Sequence, residues 1–183
     1  MTSPQAHAAD AAPSLTRRLV THARTKASSG DDLALAALFV LDAVANTLGG
    51  RNSEAGRLLL RWAGNGPLAP ASPAETGARA FLMGGLTHIL ETDDLHRASV
   101  VHPGCVVVPA AWAMALRTGA SGAEFLRAVL EGFEVTTRVG MGVGPAHYRI
   151  WHNTATCGPY GSAMAAATLL ALGSSTSLPS DLL

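Results

Sequence analysis

Apolar residues recur at three- and four-residue spacing along most of the chain, and the polar positions between them fall where helices start and stop. The pattern predicts an all-α protein. A first helix is expected over Leu15–Ala27 and a second over Asp32–Leu48, following the Ser29-Gly30-Asp31 break and stopping at Gly49-Gly50. Both read as core helices. Ser53 can cap a third helix through Trp62, ahead of a loop rich in Gly, Pro and Ala that runs from Gly64 to Ser72. Ser72-Pro73-Ala74-Glu75 is a capping box with proline at the first helical position, and its helix should reach about Leu90. An irregular segment, Glu91–Gly104, precedes a helix over Val106–Thr118 that Gly119 breaks. A second capping box, Ser121-Gly122-Ala123-Glu124, opens a helix whose Phe125, Val129 and Phe133 share a buried face, with Glu134 and Arg138 paired along its side. A Gly-rich loop is expected over Gly140–Pro159, then a last helix over Tyr160–Leu172, small-residued enough for close approach.

Composition narrows what such helices can serve. With 48% hydrophobic and 14% charged residues, the 183-residue chain can build a packed core. Thirteen basic and thirteen acidic residues leave no net charge to attract nucleic acid or an acidic membrane surface, so the expected partner is a small molecule or another protein. Lys26 is the only lysine, so any cationic anchor near a site must be an arginine. Cys105 and Cys157 lack the paired spacing of a zinc or redox site and are expected as buried, reduced thiols. Met1–Ser14 has neither the basic start nor the apolar stretch of a signal peptide, and reads as a flexible tail on a cytoplasmic protein. The apolar segments are interrupted by Asp, Arg or Gly before they reach the ~18 residues that a membrane span needs.

Ionisable residues concentrate in two irregular segments. One runs from His88 to Gly104 and holds Glu91, Asp93, Asp94, His96, Arg97, Ser99 and His102; the other runs from Gly144 to Gly158 and holds His147, Arg149, His152, Thr154 and Thr156. Burying so many such groups without a function is costly, so both segments are expected to frame one site. Taken singly, Asp93 or Asp94 could equally tie down loop backbone, and a histidine could bond within the core. Histidine and aspartate also suit zinc or iron, but no HExxH or HxH spacing supports a metal; a metal-dependent hydrolase stays as a minor alternative.

These residues carry a resemblance. HILETDDLHRASVVHPG, then VVVPAAWAMA, then GFEVTTRVG, is similar to the HALDFDDTHxxSxxHPG segment, Pro-containing helix and GYE helix of the MmgE/PrpD family. HYRIWHNTATCGPYGSAMAAATLLAL stands where the family has an HxxGFHxT-type segment entering an Ala/Gly-rich helix, and FVLDAVANTLGGR resembles the family's upstream helix. The similarity spans about residues 15–172, in order. Known members include 2-methylcitrate dehydratase, cis-aconitate decarboxylase and iminodisuccinate epimerase, which act on small polycarboxylates. The resemblance implies the N-terminal portion of a helical domain, a homodimer, and a lyase working without metal or other cofactor. It places site residues on His102 and His152, with Glu91, Asp93 and Asp94 as the accompanying acidic positions. Its site threonine falls on Leu95, a departure that points to a different substrate. Imidazoles can serve as the base and acid of an elimination. Arg97 and Arg149, with His96 and Thr154, are the candidates to hold substrate.

The family continues with a lysine-bearing KxxHxG-type segment and a lid domain, whereas residues 173–183 form a divergent tail. The expectation is therefore a partial domain over 15–172, inactive alone, that needs a second polypeptide to complete a lyase. The alternative is a non-catalytic remnant or association module.

Overall fold

The computed structural model describes residues 12–65 and 75–173. Within them seven helices follow one another: α1 (Leu15–Thr25), α2 (Gly30–Asn52), α3 (Glu54–Asn65), α4 (Thr76–His88), α5 (Gly104–Thr118), α6 (Gly122–Tyr148) and α7 (Asn153–Gly173). The described residues contain no strand beyond a single bridge between His96 and Val101. Residues 1–11 of the expected flexible start, most of the Gly64–Ser72 loop, Ser72-Pro73-Ala74 of the first capping box, and the C-terminal tail past Gly173 lie outside the described residues.

Caps set the helix starts. Ser14 accepts from the Arg17 amide at the head of α1, and Ser121 with Glu124 forms the expected reciprocal box on α6. Ser29 and Asp32 form a further box, so α2 starts at Gly30 rather than Asp32. Several glycines that the pattern marks as breaks are packing residues instead. Gly50 is buried inside α2, where a Cβ would fall on the Leu86 carbonyl oxygen of α4. Gly140 is buried against Ser99 and Val101, so α6 continues through the expected loop to Tyr148 and breaks only at Gly144, with φ 69° and ψ 178°. Likewise α7 begins at Asn153 and carries Pro159 inside it.

The core forms where α5, α6 and α7 meet, with α4 beside α5 and α2 across α4 and α6. Val107, Val108, Val129, Ala165 and Leu169 fill it, with Phe125 and Phe133 partly buried against them. Gly132 and Gly161 let α6 and α7 touch backbone to backbone; a Cβ on Gly161 would collide with Thr136 Oγ1 and the Gly132 carbonyl. Inside α5, Pro109 has no amide to give the Cys105 carbonyl. Gly84 of α4 sits against that carbonyl, and Ser162 of α7 donates to the next one, Val106, at 2.8 Å.

The first two helices are less interior than expected. α1 buries only Ala23, and is anchored by His22 and Lys26 reaching Glu134, which also pairs with Arg138. α2 buries Ala36, Ala43 and Gly50 and leaves Leu35, Leu38 and Leu41 half exposed. By length and composition α2 is long and apolar enough to cross a bilayer. Here its central Asp42 accepts the Asp94 amide at 3.1 Å, tying the helix to the ionisable loop.

The α6–α7 contact yields a paired prediction. Gly161→Ala should destabilise by about 1–3 kcal/mol through overpacking. Gly142→Ala, where a Cβ meets open space, should stabilise by about 0.5–1 kcal/mol. Urea unfolding of both variants checks the signs; equal effects would mean that α6 and α7 do not approach as closely as described.

Candidate active site

The segment between α4 and α5 is built around Asp93, whose side chain is fully buried. His88, the last residue of α4, donates from Nδ1 to both Asp93 oxygens at 3.0 and 3.1 Å. His102 arrives from the other end of the loop with its Nδ1 3.4 Å from Asp93 Oδ1, within ion-pair reach but out of hydrogen-bond alignment. One carboxylate thus faces two imidazoles, whose ring centres lie 4.7 Å apart. His152, just ahead of α7, stacks on His88 at 5.8 Å with the planes 29° apart. The loop closes through two residues at positive φ, Glu91 and Val100. For β-branched Val100 that conformation costs about 1–2 kcal/mol. It is held by the Asn153 side-chain amide donating to the Ser99 carbonyl at 2.7 Å.

An open cleft of about 520 Å³ lies against this cluster. His88, His152, Cys105 and Thr154 line it together with Phe81 and Val106, and His102 stands behind His88. A larger hollow of about 700 Å³ runs along α1 past Arg17, Arg18, His22 and Arg138 and shares no lining residue with the cleft. The histidine-lined cleft is the better candidate, because there His88, bonded to the buried Asp93 carboxylate, and His152 meet a largely apolar wall.

The expected site residues separate accordingly. Asp93, His102 and His152 come together, and Thr154 joins them by accepting the His102 amide on its hydroxyl at 3.1 Å. Glu91 sits at the exposed rim, 3.5 Å from His88 Nε2. His96 is placed elsewhere: its Nδ1 bonds Ser99 Oγ at 2.8 Å, and with Leu95 it lines a separate hollow of about 270 Å³ near Phe39 and Phe133. Arg97 and Arg149 are exposed, and neither lines the cleft. His147, in the last turn of α6, bonds Thr156 Oγ1 at 2.8 Å.

His88 is the member that sequence reasoning did not select, although it opens the ionisable segment. Its signal was its place five residues before Asp93, which lets the end of a helix and the following turn face one another. Cys105 is the other: its thiol, in the first turn of α5, donates to the His102 carbonyl at 3.2 Å. Burial pushes that thiol up from its ordinary range, and the Asp93 charge pushes it further. His88, Asp93 and Cys105 each present a ligand-type atom within 4.8 Å of the others, a grouping that sequence spacing did not reveal.

Asp94 does different work from Asp93. Its Oδ1 accepts the Gly104 amide at 2.8 Å, pinning the loop to the start of α5, and a Cβ on Gly104 would overlap that carboxyl. Burial raises the Asp94 pKa from 3.8 to about 7; the Gly104 amide opposes this, while the Asp93 and Asp42 charges add to it.

The sequence profile of the MmgE/PrpD N-terminal domain matches residues 17–177. A cis-aconitate decarboxylase-like protein of Aspergillus oryzae, oryM, is 35% identical over 104 residues, covering 52% of this chain and 22% of that protein. The matched stretch thus spans less than a quarter of the length of this relative.

The raised Asp94 group has a signed consequence. The folded state holds its proton between about pH 4 and 7 while the unfolded chain has lost it, so this group's contribution to stability is greatest below pH 4 and declines up to pH 7. Unfolding free energies measured across that window should therefore fall more steeply for the native chain than for Asp94→Asn. Parallel profiles would contradict the buried, protonated carboxyl.

Proposed function

The chain belongs to the MmgE/PrpD family, and from that premise we propose that its histidine cluster is the proton-transfer part of a lyase site for a small polycarboxylate. The observation that carries the reading is the convergence of His88 and His152 on one cleft, with His88 and His102 both set against the buried Asp93 carboxylate. The A. oryzae relative, named for a cis-aconitate decarboxylase-like activity, supports a substrate bearing several carboxylates.

Elimination of water from a 2-hydroxy polycarboxylate needs a base to take the proton next to a carboxylate. The C–H electron pair then becomes the double bond, and an acid protonates the departing hydroxyl so that it leaves as water. Decarboxylation and epimerisation draw on the same pair of groups, because each passes through charge on the carbon beside a carboxylate. His152 and His88, stacked at the cleft wall, are placed for the two roles, with His102 beside His88 on the same Asp93 carboxylate. Asp93 fixes the orientation of His88 and stabilises positive charge on either imidazole of its pair. Thr154 holds the backbone of His102 in place.

Substrate carboxylates would meet the positive ends of two helices, since Cys105 and Val106 of the first turn of α5 and Thr154 and Ala155 of the first turn of α7 line the cleft. Among the described residues no arginine or lysine lines it, so binding by Arg97 and Arg149 forms no part of the proposal. The Leu95 departure bears on the neighbouring hollow rather than on the histidine cleft.

The test joins this chain to the remaining domains of a family relative and measures turnover of methylcitrate, citrate, cis-aconitate and iminodisuccinate. His102→Ala and His152→Ala should each lower the rate by about 10²–10⁴ with helical content retained. Unchanged rates in both variants would remove the assignment.

A further inference from the structure

We propose that His88, Asp93 and Cys105, with His102 as the fourth ligand, form a binding site for one thiophilic divalent cation, zinc being the type. Binding of the cation does not depend on which reaction the cleft performs. The donors span three structural pieces. His88 ends α4, Asp93 and His102 bracket the loop, and Cys105 lies in the first turn of α5. A tetrahedral zinc with bonds of about 2.3 Å to sulfur and 2.0–2.1 Å to nitrogen or oxygen separates its ligand atoms by roughly 3.3–3.7 Å. The cluster brackets that spacing, with His88 Nδ1 3.0 Å and His102 Nδ1 3.4 Å from Asp93 Oδ1, and the three-residue group spanning no more than 4.8 Å. Drawing the three-residue group in from 4.8 Å takes shifts of about one ångström; His102, which lies outside that group, would join it from beside Asp93 Oδ1.

A second observation points the same way. His102 Nδ1 is buried and makes no aligned hydrogen bond, so one ring nitrogen faces the carboxylate without a full partner. A metal at the cluster centre would satisfy it. The donor set favours zinc or cobalt over magnesium or calcium, because a thiolate and imidazoles are soft to borderline ligands. Charge also balances: one thiolate, one carboxylate and two neutral imidazoles neutralise a divalent ion, which suits a buried site. On binding, the Cys105 thiol proton leaves to solvent. His88 moves its proton from Nδ1 to Nε2, where Glu91 Oε1, now 3.5 Å away, can accept it as an outer-shell partner. The occupied site would withdraw Asp93 and two imidazoles from proton transfer, making such a cation a competitor of the chemistry.

The purified chain, stripped with chelator, is titrated with cobalt chloride and then with zinc chloride. One cobalt per chain is expected, with the strong visible absorption of a tetrahedral ion and a near-ultraviolet thiolate charge-transfer band, both abolished by one equivalent of zinc. Cys105→Ser should remove the band and Cys157→Ser, whose thiol is buried elsewhere, should keep it. His88→Gln should weaken zinc by more than the ~10–100-fold that loss of an outer-shell partner costs. Should Cys105→Ser fail to fold, the native chain and Cys157→Ser still decide the matter. Absence of stoichiometric cobalt, an octahedral spectrum without the charge-transfer band, or loss of the band in Cys157→Ser would each overturn the site.

Discussion

A carboxylate with no solvent exposure has to be paired, since leaving an ion buried alone costs several kcal/mol. Asp93 is that group, and the arrangement between α4 and α5 follows from satisfying it. The end of α4 must deliver His88, the start of α5 must be approached through His102, and the residues between them must fold back on themselves in a turn closed by the His96–Val101 bridge. Such a turn forces residues into unfavourable backbone conformations. Glu91 and Val100 take positive φ, and for Val100 no side-chain chemistry eases the strain. The loop persists because it is tied at several points: Asp94 to the Gly104 amide, the Asp94 amide to Asp42, and the Ser99 carbonyl to Asn153.

Those ties link the loop to helix packing. Asn153 and Thr154 open α7, so the contacts that hold Ser99 and His102 also bring His152 to the cleft. α7 can lie that close because Gly132, Gly158 and Gly161 leave no side chains in its path across α5 and α6. Small residues on α6 and α7 are therefore a condition for the histidines to meet. Inside a packed interior, a displaced helix would not be absorbed locally but would be transmitted to the rings it positions.

The helices were legible in the sequence where chemistry marks them uniquely. Ser121 and Glu124 announce α6, and the run from Val106 to Thr118 announces α5, because a capping box and a sustained apolar face have few other meanings. Glycine has two meanings. Gly50 and Gly140 read as breaks yet serve as contact points, a distinction that depends on what lies opposite and is absent from one sequence. The site was legible in part. The grouping of His102, His152 and Asp93 followed from resemblance, since residues 93 and 152 have no local spacing in common. His88 looked like an ordinary helix residue, and its pairing emerges only when the chain turns back. His96 was drawn in by proximity along the chain, but the tight turn directs it to Ser99 and the opposite hollow.

If one buried carboxylate, by holding His88 and His102 with His152 stacked alongside, makes a single surface for a polycarboxylate, the three rings should respond to it together. Histidine-selective NMR during titration with cis-aconitate tests it most directly. Saturable, concerted shifts of the His88, His102 and His152 rings are expected, with no movement of His22, His96 or His147 and loss of the concerted response in Asp93→Asn. Shifts at His96 or His147 instead, or an unchanged response in Asp93→Asn, would contradict it.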